Sequence, residues 1–188
     1  QLKFIELEEN RNQFQIGPYV IDAYRVNHNV VCYGYSISIP RAGRFDVERA
    51  KEQNVPMKAW SRLQKGETLE MDGDMVLGPD RKGLKVTYCT DTRPVPVIAE
   101  YADHADLFIC EGMYGEDGKE AKAREYKHMT MYEAANLAKK AQPAEMWLTH
   151  YSPSLNRPDE FIDKVREIFP GAKTARDGWT RELTFDEE

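Results

Sequence analysis

The rhythm of apolar and polar positions changes once along the chain, near Leu84. Before it, "KFIEL" (residues 3–7), "YVIDAYRVNH" (19–28) and "CYGYSISIP" (32–40) carry β-branched and aromatic residues in partial alternation. That pattern predicts three strands. Two short helices are predicted over 46–53 and 58–65, the first with Asp46 as N-cap. "GETLEMDGDMVLGPDRKG" punctuates a predicted pair of short strands with Gly, Pro and Asp. Beyond Leu84, strand and helix alternate. Strands are predicted over 84–90, 107–110 and 146–149, the second within the continuous apolar run "DLFIC" of a buried strand. Helices are predicted over 96–102, 120–127, 131–141 and 158–169, and closing strands over 173–175 and 181–185. Thr130 and Glu133 make a T-x-x-E capping box, with Ala135, Leu137 and Ala138 on the packing side of the helix they start. Pro158 sits near the first turn of its helix and Pro170-Gly171 just past its end. Such alternation implies a sheet covered by helices, hence an α/β fold.

The predicted strands share a second feature. "VTYCTD" finishes on Asp91, "LFICE" on Glu111, "MWLTH" on His150 and "YRVNH" on His28. In layered α/β folds ligands collect at the carboxyl edge of the sheet. Carboxylate and imidazole are also the donor set of zinc and related ions. Singly, each has a plainer reading. A strand-end His is ordinarily a hydrogen-bonded surface group, and an Asp before Thr-Arg-Pro is a turn or Asx cap. The coincidence of four is what points to one shared polar site. His128, in "KHMTM", reads either as a helix flank or as a general acid oriented by a carboxylate such as Glu111. His104 reads as a helix-end histidine with no role.

Composition narrows the setting. A length of 188 residues suits one domain, and a hydrophobic fraction of 41% is adequate for a core. The apolar runs are short, so no membrane span is expected, and no signal peptide is recognised. Cys32, Cys89 and Cys110 lie far apart, which predicts reduced, buried thiols in a cytoplasmic protein. Net charge is −6, yet residues 41–66 hold seven Lys/Arg against three acids. Alone, that basic segment reads as a solvated surface excursion.

The pieces taken in order resemble ribonuclease Z, the tRNA 3′-end endonuclease of the metallo-β-lactamase superfamily, over nearly the whole chain. "VNHNVVCYGYSI" is similar to that family's His segment and Gly-Tyr strand. "GRFDVERAKEQNVP" and "LQKGETL" resemble its arm and exit, and "YCTDTRP" its Gly-Asp-Thr-Arg strand end. "ADLFICEGMY" resembles its His-Glu-Ala-Thr segment, "HMTMYEAANLAKKA" its His-Ser-Thr helix start, and "LTHYSP" its late His segment. The resemblance implies an αββα sandwich and a two-zinc site. His28 and His150 would ligate one zinc each and Asp91 would bridge them, while His128, paired with Glu111, would protonate the leaving oxygen. Residues 41–66 would be a protruding arm whose Arg41, Arg44, Lys58, Arg62 and Lys65 contact the phosphates of precursor tRNA.

The chain also departs from the family. The His-x-His-x-Asp-His motif occurs nowhere in it, and it begins at Gln1 rather than Met. The expectation is therefore a C-terminal half of the sandwich that needs its N-terminal half, with zinc absent or partial and no activity alone. The sheet face left bare predicts a homo-oligomer, with a homodimer as the simplest case. The family's Gly before the bridging Asp is Thr90 here, and the His of its His-Glu segment is Cys110. Its Pro-Gly-Pro arm tip reads Pro56-Met57-Lys58-Ala59. Its Ser-x-Arg-Tyr reads Ser152-Pro153-Ser154-Leu155, with Arg157 as a substitute for the lost arginine. Two alternatives follow: a divergent phosphodiesterase with a non-tRNA substrate, and a metal-free binding or assembly module.

Overall fold

The computed structural model describes residues 4–64 and 76–186. A seven-stranded sheet runs in chain order: β1 (Arg11–Ile16), β2 (Tyr19–Arg25), β3 (Tyr33–Arg41), β4 (Arg81–Cys89), β5 (Leu107–Glu111), β6 (Met146–Thr149) and β7 (Ala172–Thr174). The α-helices among the described residues are α1 (Val47–Glu52), α2 (Met57–Leu63), α3 (Pro96–Ala102), α4 (Glu120–Tyr126), α5 (Met131–Ala141) and α6 (Ile162–Ile168). β1 to β3 pair antiparallel, and β4 to β7 pair parallel. The result is the mixed α/β sheet that the alternation beyond Leu84 predicts. The chain forms two compact units, residues 1–38 with 84–183 and residues 39–83 with 184–188.

In the first unit the parallel strands are apolar on both faces. On one face Cys89, Phe108, Cys110, Met146 and Leu148 share a buried cluster with Ile98 of α3, Leu137 of α5 and Val165 of α6. On the other, Leu107, Trp147 and Ala175 pack with Val86 and Ile109. The Trp179 ring meets Trp147 edge-on at 5.5 Å. α5 begins where the capping box places it: Glu133 N donates to Thr130 Oγ1 at 3.1 Å, and Thr130 N donates to Glu133 Oε2 at 2.9 Å. Its alanines allow α5 to lie close to the sheet.

Gly34 has a packing reason. It pairs across the sheet with Tyr24, whose fully buried ring lies over it and stacks on Tyr101 at 4.4 Å. A Cβ at residue 34 would come within 2.5 Å of the Tyr24 ring. The ring cannot retreat because Tyr101 backs it.

The differences from the sequence reading have local causes. β1 was not expected, because Arg11, Asn12, Gln13 and Gln15 make it polar. Its ladder to β2 holds it instead, closed by a turn at Gly17 with φ +57°. Among the described residues, 4–8 pair with no strand of the sheet, so they do not form the strand expected there; Lys3 lies outside the described residues. β2 stops at Arg25, since Val26 N donates to Cys32 O and Asn27 bridges to Arg93. Pro158–Phe161 is a 3-10 turn leading into α6, and residues 181–185 are irregular rather than a strand. Much of the strand pair expected in 66–83 lies outside the described residues. All three cysteines are free; Cys89 and Cys110 are buried with sulfurs 3.6 Å apart, while Cys32 is only half-buried.

The second unit has its own small core. Ala50, Leu63 and Val76 are fully buried, with Phe45 and Trp60 packed on them. Asp46 caps α1 by accepting from Arg49 N at 3.0 Å, as expected. Trp60 Nε1 donates to Val55 O, fixing the turn before α2. The Arg41 guanidinium lies over the Phe185 ring and donates to Asp186 O. Among the described residues no helix is long and apolar enough to cross a membrane.

Replacing Gly34 by Ala is expected to lower stability by about 1–3 kcal/mol, the usual cost of overpacking a filled site. Urea denaturation of the variant measures it. A variant as stable as the parent would show that the Tyr24–Tyr101 stack yields.

Candidate metal centre

Each strand end delivers one polar side chain to the same edge of the first unit. Asp91 lies two residues past β4, Glu111 ends β5, His150 follows β6 and His28 lies on the loop after β2. The backbone turns sharply to do this. Asp91 and His150 both sit in the left-handed region, at φ +54° and +55°. That conformation is costly for residues with a Cβ, and it persists only where surrounding bonds hold it.

The distances draw four of the sequence candidates together. One donor atom each from His28, Asp91 and His128 lie within 4.8 Å of one another. His150 Nε2 is 3.2 Å from Asp91 Oδ1. The rings of His28 and His128 are 5.1 Å apart between centroids, and those of His128 and His150 are 5.5 Å apart. His28 Nδ1 donates to Lys127 O at 3.1 Å. A carbonyl can only accept, so Nδ1 carries the proton and Nε2 keeps a free lone pair, the usual arrangement of a metal-binding imidazole.

Glu111 is not in this donor set, though it bonds to segments that carry it. Its carboxylate is fully buried. It accepts from Thr92 N at 2.6 Å, from Met129 N at 3.0 Å and from His128 Nδ1 at 3.1 Å. This bond orients the His128 ring and leaves Nε2 for other work. Burial pushes the Glu111 carboxyl up to about 7, against the two backbone amides that hold it down. Burial, then the neighbouring His28, lowers the His128 value, and Asp91 partly offsets them.

Two contributors escaped the sequence reading. Arg93, in "TDTRP", donates to Glu133 through both terminal nitrogens and to His128 O. Glu133, read only as a cap, therefore holds an arginine as well. The available signal was an acid and a base in the two segments already singled out, but nothing in sequence said that they meet. Of the arm residues, Arg44, Lys58 and Arg62 are exposed, Arg41 is turned to Phe185 and Asp186, and Lys65 lies outside the described residues. Arg157 pairs with Glu160 and lines a cleft of about 960 Å³ that also includes His150, Tyr88 and Arg176. His104 is exposed beside Asp103.

The donor chemistry fits a metal ion. Three imidazoles and a carboxylate are nitrogen and oxygen ligands of the zinc type, and His28 and His128 have the outer hydrogen bonds that fix a ligand ring. Four side chains do not fill two tetrahedral sites, each of which needs about four donors.

A mixed sheet with imidazoles and carboxylates gathered at its strand ends defines a class of protein. The chain belongs to the beta-lactamase superfamily, whose domain profile matches residues 26–151. More particularly, it is 62% identical over 193 aligned positions to the ribonuclease Z of Lachnospira eligens, covering all of this chain and 64% of that relative. It thus spans just under two thirds of that relative's length. Among solved structures it resembles the metallo-beta-lactamase fold protein YhfI from Bacillus subtilis, with a TM-score of 0.60 and 20% identity over 91% of this chain and 52% of that one. It also resembles the short form of human tRNase Z, with a TM-score of 0.50 and 23% identity over 80% of this chain and 43% of that one. These two likenesses establish the fold alone.

The buried carboxyl makes stability depend on pH. Glu111 holds its proton more tightly folded than unfolded, so its contribution is present below about 4.5 and is lost as pH rises through about 7. The full loss is on the order of 3 kcal/mol. His128 works in the opposite sense, and its contribution is complete above its ordinary value of 6.5. Between about pH 6.5 and 7.5 the parent is therefore expected to lose stability, while Glu111→Gln, which has no proton to release, loses less. Urea midpoints at pH 6.5 and 7.5 test this; parallel declines in both proteins would contradict it.

Proposed function

We propose that this chain is the C-terminal part of a zinc-dependent endoribonuclease that cleaves a phosphodiester at the 3′ end of precursor tRNA. The observation carrying the proposal is the meeting of His28, Asp91, His128 and His150 in segments that align throughout with ribonuclease Z. His28 and His150 would each hold one ion, with Asp91 between them. Two zinc ions, when bound, supply Lewis-acid charge for attack of water on a phosphoryl group. His128, in its doubly protonated form, would give its Nε2 proton to the leaving oxygen, and Glu111, accepting from Nδ1, would hold the ring for that transfer. Arg44, Lys58 and Arg62 supply cationic surface for the phosphates of the tRNA. The remaining donors come from residues outside this chain, so the chain alone is metal-poor and inactive. The free cysteines suit a reducing cytoplasm. Exposed Tyr35, Ile37 and Tyr88 on the sheet suit a partner, either the N-terminal half or a second copy.

A second reading of His128 has its own support. Its donor atom falls in the same 4.8 Å set as those of His28 and Asp91, so it could ligate instead of donating a proton. His128→Ala in the full-length enzyme separates the two. As the acid, its loss lowers kcat by about 10²–10⁴-fold with zinc content unchanged; as a ligand, its loss removes zinc. For the substrate, the full-length enzyme is expected to cleave 3′-extended precursor tRNA as well as a bis-phenyl phosphodiester. Cleavage of the small ester alone would replace the tRNA reading with a divergent phosphodiesterase. Tight binding of two zincs and turnover by the 188-residue chain would refute its incompleteness.

A further inference from the structure

We infer that Arg93 is the positioning residue that holds three of the four segments of the candidate metal centre in register. The inference rests on reading the cluster as a metal centre. Three of the four segments of the cluster are the loop after β2 with His28, the exit of β4 with Asp91, and the approach to α5 with His128; the fourth, after β6, carries His150. Glu111 bonds to two of them, through Thr92 N and through Met129 N and His128. Arg93 joins all three. It stands two residues beyond Asp91. Its backbone N donates to Asn27 O at 3.0 Å, next to His28. Asn27 N returns a bond to Thr92 Oγ1 at 3.1 Å, and Thr92 Oγ1 donates to Arg93 O at 2.7 Å. Its guanidinium donates to the carbonyl of His128 itself.

The rest of the fork is spent on Glu133, which both terminal nitrogens reach, one at 3.1 Å. Glu133 Oε2 also accepts from Thr130 N at 2.9 Å, so the guanidinium is anchored to the first turn of α5. The side chains of Arg93 and Glu133 are 15% and 23% exposed, so solvent weakens the pair little. Pro94 favours an extended backbone at Arg93, which suits its bridge to Asn27. A lysine would keep the charge but not the planar fork that serves a carboxylate and a carbonyl together. The Arg93 guanidinium has no lone pair to offer a metal ion, so it acts through the groups it holds. It acts by fixing where His28, Asp91 and His128 stand relative to one another.

The test is zinc binding by the full-length enzyme, read by calorimetric titration, with the Co²⁺ absorption band reporting coordination geometry. Arg93→Met is expected to weaken zinc binding about 10–100-fold, the usual effect of removing an outer partner of a ligand. Millimolar guanidinium is expected to restore part of that loss in Arg93→Ala. Arg93→Lys should fall between parent and Met, and it replaces the Met variant if the latter does not fold. Arg11→Met, which breaks the exposed pair with Glu100, is the control and should bind as the parent does. Zinc affinity in a folded full-length Arg93→Met or Arg93→Lys enzyme within twofold of the parent, with an unchanged Co²⁺ band, would overturn the inference. A full-length parent that takes up no zinc under any condition would instead sink the metal reading itself.

Discussion

A carboxylate with no access to water, at the end of β5, organises this molecule. Burying Glu111 is tolerable only because three donors converge on it, and those donors belong to the segments that carry the candidate chemistry. Thr92 N fixes the exit of β4, and Met129 N fixes the chain as it enters α5. His128 Nδ1 fixes a ring. One acid thus converts the packing of a parallel sheet into the placement of side chains at its edge. The carboxyl's displacement to about 7 is the physical mark of that burial.

Arg93 and Glu133 extend the same logic outward. Glu111 works from inside the sheet, whereas the arginine works from the loop side and ties in the His28 segment through Asn27. The two devices share His128 as a common neighbour. A structural cap at the start of α5 is therefore also part of the frame of the candidate site. Removal of the capping glutamate would be felt in two places at once.

Much of this was legible in sequence because the signals were local. The capping box of Thr130 and Glu133, the apolar run before Glu111 and the polar residues at strand ends each announce themselves within a few positions. β1 did not, since an edge strand held by its ladder needs no apolar pattern, and Arg11 to Gln15 show little. The irregular course of residues 181–185 was hidden for the opposite reason. Its composition suits a strand, but among the described residues no partner strand meets it. The Arg93–Glu133 pair was beyond reach because its members are 40 residues apart and each has a satisfactory local reading, one as a turn residue and one as a cap. The same holds for Gly34, whose need for a bare Cα comes from a tyrosine on the neighbouring strand.

The left-handed backbone at Asp91 and His150 sets two demands against each other. Glycine would adopt those turns without strain, but it would delete the carboxylate or the imidazole with it. The chain instead carries a side chain where its backbone is least suited to one, at a cost on the order of 1–2 kcal/mol for each residue. Fold stability and the polar strand edge therefore pull in opposite directions at these two positions.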